Sequence, residues 1–177
     1  MSADRSTLPL SHPAKLVGTW FGVGLAPKAA GTFGSIAALP FAYVIQVYAG
    51  NIALFAASIA VFFIGWYANH VYLRYTDVLD PREMVIDEVA GQWLILAFLY
   101  PTFISYMAGL ALFRFFDIVK PWPISVADRK IHGGFGVMFD DMLAAVYPLL
   151  IAFVVLGCAR VLGHPLDTHL LAAHYVF

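Results

Sequence analysis

Apolar residues run along this chain in long blocks separated by a few polar clusters, and the blocks have the length of helices rather than strands. The first, Ile36 to about Tyr48, predicts a helix that Thr32 or Ser35 could cap. Gly50-Asn51 reads as a turn. A second helix starts at Ile52, passes Trp66 and runs towards Tyr75, turning polar at Asn69, His70 and Arg74. Residues 76–83 form a polar linker broken by Pro81. A third helix is expected from near Glu83 to about Leu99, with Asp87 and Glu88 near its start and apolar positions after Gln92. Pro101 marks a turn, and a fourth helix spans about Ile104 to Val119, stopped by Pro121 and Pro123. Trp122 to Phe139 reads as a loop rich in glycine and charge, followed by a fifth helix from about Asp140 to Leu162. Residues 1–16 read as an arm in which Pro9 and Pro13 disfavour helix, and the tail from Gly163 is polar. No internal repeat is visible.

The short turns at Gly50-Asn51 and Pro101 make antiparallel hairpins of helices 1–2 and 3–4. Both hairpins then open to the same side, which collects the Gly31–Ser35 loop, the 69–88 linker and the 114–141 loop. The chain is therefore expected to be one all-α domain over residues 1–177, a bundle of about five helices with its charge on one face.

Composition adds a solvent. Hydrophobic residues make up 62% of the chain, charged residues only 12%, and mean hydropathy is +0.81. A domain of this size cannot bury so much apolar surface by itself, so a bilayer is expected to cover the surplus. Lys15, Lys28, Arg74, Arg82, Lys120, Arg129 and Lys130 all fall on the charged side, which the positive-inside rule makes cytoplasmic. Residues 1–15 have no signal-peptide pattern. The net charge of −1 argues against nucleic acid as a partner. A lone cysteine, Cys158, excludes an internal disulfide or a cysteine metal cluster and reads as a small apolar-environment residue.

The scarce charge is concentrated between Phe113 and Ala145, with Asp87 and Glu88 outside that stretch. Any one acid could simply cap a helix start. Two adjacent pairs, Asp87-Glu88 and Asp140-Asp141, with Asp117 on the same side, would repel one another unless a cation sat between them. Hard oxygen ligands of this kind favour Mg²⁺ held together with a substrate phosphate. Arg114, Lys120 and Arg129 could clamp that phosphate, Arg through its two-pronged guanidinium. Gly31 to Ser35 and His132 to Gly136 could each present backbone N–H groups to an anion, or serve only as tight turns. His132 is a proton donor, a ligand or a loop residue on this pattern, and His70 an interfacial histidine.

The motifs Gly31-Thr32-Phe33-Gly34-Ser35, Asp87-Glu88-Val89-Ala90-Gly91-Gln92-Trp93, Phe113-Arg114 with Asp117, Lys120-Pro121-Trp122-Pro123-Ile124, Asp128-Arg129, His132-Gly133-Gly134 and Met138 with Asp140-Asp141, in that order, resemble the phosphatidylglycerophosphatase A family. The likeness covers about residues 15 to 160, leaving out the arm (1–14) and the tail (163–177). It implies a Mg²⁺-dependent enzyme of the bacterial inner membrane, multi-pass and active at the cytoplasmic leaflet. Such an enzyme removes the terminal phosphate of phosphatidylglycerophosphate to give phosphatidylglycerol. Carried onto this chain, Asp87, Glu88, Asp140 and Asp141 are the expected Mg²⁺ ligands. Arg114, Lys120 and Arg129, with Thr32 and Ser35, are expected to bind phosphate, and Asp87, Asp117, Asp141 and His132 to take part in catalysis. The nucleophile is a metal-activated water or an aspartate. An acyl groove is expected near Trp20, Phe21, Trp93 or Trp122. The competing class is a membrane protein that binds or transports divalent cations without chemistry. The Asp-x-x-Asp-Gly-x-x-Ala-Arg pattern of CDP-alcohol phosphotransferases and the Ser-Gly-His set of acid-phosphatase-type lipid phosphatases are absent. The oligomeric state is left open by the sequence.

Overall fold

The computed structural model describes residues 8–76, 78 and 81–161. The tail from 163 and the first seven residues of the arm lie outside the described residues. Among the described residues the regular elements are six α-helices and one short 3₁₀ turn: α1 (Pro13–Gly18), the turn Val23–Leu25, α2 (Ala30–Tyr72), α3 (Ile86–Leu96), α4 (Phe103–Val119), α5 (Ile124–Lys130) and α6 (Gly133–Val161).

α2 breaks at Gly50, whose φ of 85° and ψ of 175° suit only glycine, so the chain turns back on itself there. Contacts with α3 give the direction of each limb. Along the first limb Ala38 meets Trp93, and Gln46 further on meets Leu96 and Leu99. Along the second, Ser58 meets Ala90, and Gly65 further on packs against Ile86. The limbs are antiparallel, as the expected hairpin requires. α3 is the central helix: every residue from Ile86 to Leu96 except Glu88 is buried. α2, α4 and α6 surround it.

At the end of the bundle remote from the charge, Gln46 joins the turn to its neighbours. Its Nε2 donates to Asn51 Oδ1 (2.7 Å) and to the carbonyls of Leu96 (2.9 Å) and Leu99 (2.7 Å). Its Oε1 accepts from the Tyr106 hydroxyl at 2.6 Å. Leu54, Val89 and Leu96, with Trp20 and Trp93, fill the core between the two ends. Trp20 and Trp93 meet edge to face at 5.7 Å and are buried, so they are core rather than the walls of a groove. Phe21 and Trp122 are exposed.

Several boundaries differ from those expected. Pro13 opens α1 instead of preventing it: proline suits a first helical position, and His12 Nδ1 caps the helix by accepting from Ala14 N–H at 3.2 Å. Within the presumed loop 122–139, Ile124–Lys130 is α5. α6 begins at Gly133, so Asp140 and Asp141 lie two turns inside it and do not cap its start. Gly134 there serves close packing: a Cβ on it would stand 2.5 Å from the His70 amide nitrogen and 2.7 Å from the Trp66 carbonyl.

Ala30–Tyr72 and Gly133–Val155 are long and apolar enough to cross a membrane. At 1.5 Å per residue each limb of α2 rises roughly 30 Å, the first because the helix starts at Ala30 instead of Ile36. α3, with 11 residues, rises only about 16 Å and is too short to span a bilayer. The outer surface is apolar, with Tyr48, Tyr67, Phe103, Ile104 and Val154 all exposed.

Candidate active site

Three helices deliver the acids to one end of the bundle. Asp87 and Glu88 are in the first turn of α3, Asp140 and Asp141 on α6, and Asp117 in the last turn of α4. Carboxylate oxygens of Asp87, Glu88 and Asp141 all lie within 4.8 Å of one another. Glu88 Oε2 and Asp141 Oδ2 are buried without a hydrogen-bond partner. A buried, unpaired carboxylate oxygen is costly, and three gathered acids more so. Burial raises the pKa of Glu88, and Asp117 adds to this, against the Asp87 hydrogen bond and the Arg114 charge, which lower it. This is the electrostatic condition of a cation site, and the all-oxygen donor set fits a hard divalent ion.

The bases here are spent on acids. Arg114 Nη1 lies 2.6 Å from Asp117 Oδ2 and 3.4 Å from Glu88 Oε1, joining α4 to α3. Lys120, in a left-handed conformation just past α4 (φ 44°), reaches Asp128 Oδ1 at 2.6 Å and Asp140 Oδ2 at 2.5 Å. Burial works against its charge, but the hydrogen bonds and charges of Asp128 and Asp140 outweigh that and raise its pKa, so the ammonium stays protonated. Asp140 thus faces Lys120 while Asp141, next in sequence, joins the acid trio.

A cavity of about 650 Å³ opens above these groups. Asp87, Glu88, Asp117, Lys120, Asp140 and Asp141 line it. So does the start of α2, from Ala29 to Gly31. Arg114 reaches the site through Glu88 and Asp117. The remaining expected residues sit elsewhere. His132 is exposed and lines a separate pocket of about 80 Å³ with Asp128 and Asp140. Arg129 is exposed on α5 and lines neither. Thr32 and Ser35 lie inside α2, off the cavity, and the Ser35 hydroxyl donates to the Gly31 carbonyl at 3.0 Å.

Sequence reasoning did not single out Asp128 as the partner of Lys120, because the pair closes across a proline turn with no periodic signature. Gly31 is also a site residue: a Cβ there would collide with Oε1 of Glu88. Its place before an apolar run pointed to a cap or a turn, not to a close approach. Lys28 and Arg82, also on the cavity, had only been counted as surface charge.

Comparison with known proteins gives the family of the chain. Residues 16–156 match the family described as Phosphatidylglycerophosphatase A. The chain is 37% identical over 143 residues to Phosphatidylglycerophosphatase A of Escherichia coli K12, covering 80% of this chain and 83% of the relative. It is 34% identical over 149 residues to the Haemophilus influenzae protein of the same name, covering 84% and 91%. A Bacteroides thetaiotaomicron protein with the provisional name phosphatidylinositol-3-phosphatase is 36% identical over 159 residues, covering 82% and 92%. No solved structure matches the chain. With the family matched over most of its length and relatives of that name at better than one-third identity, the chain belongs to the phosphatidylglycerophosphatase A family.

Proposed function

We propose that this protein hydrolyses the terminal phosphate of phosphatidylglycerophosphate at a membrane surface, with Mg²⁺ held by Asp87, Glu88 and Asp141. The observation that carries the metal is the trio of carboxylates within 4.8 Å of one another, two of them with unpartnered buried oxygens. When bound there, Mg²⁺ would neutralise charge on the phosphoryl group and lower the pKa of an attacking water. Arg114 fixes Glu88 and Asp117 in place. Lys120 has three N–H donors, of which two are used on Asp128 and Asp140, and it lines the cavity; the third is free for a phosphoryl oxygen. The start of α2 has no side-chain cap, so its first N–H groups are available to the same anion. Asp117 lines the cavity and is the candidate aspartate nucleophile if water is not the attacking group.

The substrates named for the relatives are both phosphomonoesters carried on a phospholipid headgroup, and the site suits that shared chemistry. Cation transport without chemistry fits less well. The acids occupy one end only, and the way to the other end is filled by apolar core and closed by Gln46. In the membrane reading, both limbs of α2 and α6 cross the bilayer of a bacterial inner membrane, while α3 stops halfway. The charged end, with Lys28, Arg74, Arg82 and Lys120, faces the cytoplasm.

The test is phosphate release from phosphatidylglycerophosphate in mixed micelles, with Mg²⁺ or with EDTA, by wild type, Asp87→Asn and Asp141→Asn. Activity is expected only with the metal, and a loss of at least about 100-fold in each variant. Full activity in EDTA sinks the metal. Wild-type rates in both variants sink the assigned site. Phosphate trapped covalently on the protein rejects direct attack by water.

A further inference from the structure

Counting the charges around the cavity leaves two cations over. Lys15 is held by Glu83, Arg114 by Glu88 and Asp117, and Lys120 by Asp128 and Asp140. Lys28 and Arg82 also line the cavity, both are exposed, and among the described residues neither makes an ion pair. Their backbones belong to one wall. A Cβ at Gly24 would run into the Glu83 carbonyl, so the segment leading to Lys28 packs directly on the one carrying Arg82. Glu83 is itself held by Lys15 and by the Tyr72 hydroxyl, and Pro81 on the other side of Arg82 is buried. The two exposed side chains thus stand on a fixed base and line the same cavity as the acids.

A cavity that holds a metal and one phosphate at its acidic wall needs no second pair of cations for that phosphate alone. The proposed substrate has a second anion: its phosphomonoester is joined through a glycerol to a phosphodiester, which carries the diacylglycerol. We propose that Lys28 and Arg82 form a second anion site that takes this phosphodiester, so that the enzyme reads a monoester and a diester together. This rests on the reading of the acidic wall given above. The same chemistry is offered by the phosphodiesters of surrounding bilayer lipids, and the experiment separates the two sources. The pair acts in binding, so its removal raises KM and leaves kcat alone.

The experiment uses the full chain in non-ionic detergent, as wild type, Lys28→Ala, Arg82→Ala, the double variant and Lys28→Arg. KM and kcat are measured for phosphatidylglycerophosphate and for its water-soluble deacylated form, together with the inhibition constant of inorganic phosphate. Inorganic phosphate can occupy the monoester position alone. KM is expected to rise about tenfold in each single alanine variant for both substrates, kcat to stay within about twofold, and the phosphate inhibition constant to stay unchanged. Lys28→Arg should keep a KM near wild type. A KM increase confined to the acylated substrate, and only when anionic lipid is added to the micelles, assigns the pair to bulk lipid and overturns the proposal. So does an unchanged KM, or a phosphate inhibition constant that weakens in step with KM. Failure of the underlying reading looks different: wild type itself would then release no phosphate from either substrate.

Discussion

Replacing Gly31 with alanine should separate stability from activity, with opposite signs. Gly31 lies in the first turn of α2, where alanine is the better helix former by about 1 kcal/mol. By that effect alone the variant is more stable. The added Cβ, however, would collide with Oε1 of Glu88 and stand 2.9 Å from its carboxyl carbon and 3.0 Å from Arg114 Nη1. The clash is with the far end of a flexible side chain, so Glu88 can swing aside and the fold survives. The swing carries the carboxylate out of the trio with Asp87 and Asp141 and away from Arg114 at 3.4 Å. Displacing one ligand of three should raise the Mg²⁺ concentration for half-maximal activity by about 10- to 100-fold, the scale seen when the support of a metal ligand is lost. The assay is phosphate release titrated with Mg²⁺, with melting temperature in EDTA measured alongside. The melting temperature should be equal to or above that of wild type. Glu88→Asp in the Gly31→Ala background shortens the acid, makes room for the methyl and should recover part of the metal affinity. An unchanged Mg²⁺ titration would refute the close approach of α2 to Glu88. A large drop in melting temperature would show that Gly31 is needed for the fold and not for the site.

Three other substitutions probe separate parts of the argument. Gln92 is fully buried with both amide atoms unpartnered, so Gln92→Met should leave melting temperature unchanged or raise it at wild-type activity; a clear loss of stability would mean that the amide has partners. Gly50→Ala forces a side chain into a conformation that only glycine tolerates, and should cost about 1–3 kcal/mol, read as a lower melting temperature with unchanged KM. Arg114→Lys keeps the charge but loses the fixed planar directions in which Nη1 alone serves both Glu88 and Asp117; kcat should fall about tenfold or more, and a wild-type kcat would show that one point charge suffices.

Hydrophobic blocks made the two hairpins and the side on which charge collects readable from the sequence, because burial at helical period and a glycine turn are local signals. Glycine-rich stretches misled for a non-local reason. Gly31 to Ser35 and Gly133 to Gly136 look like loops by propensity, yet both stretches belong to helices, and Gly31, Gly34, Gly134 and Gly136 stand where neighbouring groups leave no room for a Cβ. The same effect changes the meaning of the acids. Asp140 and Asp141, placed two turns inside α6, are not explained by the favourable end of a helix, so the alternative that they merely cap it fails on geometry. The bases show the reverse case. Arg114, Asp117 and Lys120 follow at intervals of three residues and were readable as one charged face, but which acid each base holds depends on α3, α5 and α6 arriving beside α4. Once those pairs are formed, Arg114 and most of Lys120 are structural parts of the acidic wall. Among the described residues, the unpaired positive charge of the cavity then comes from Lys28 and Arg82, on segments distant in sequence that Gly24 and Glu83 bring together. A charged motif in one stretch of chain is therefore only one wall of this site, and the wall facing it is built by packing that no single stretch encodes.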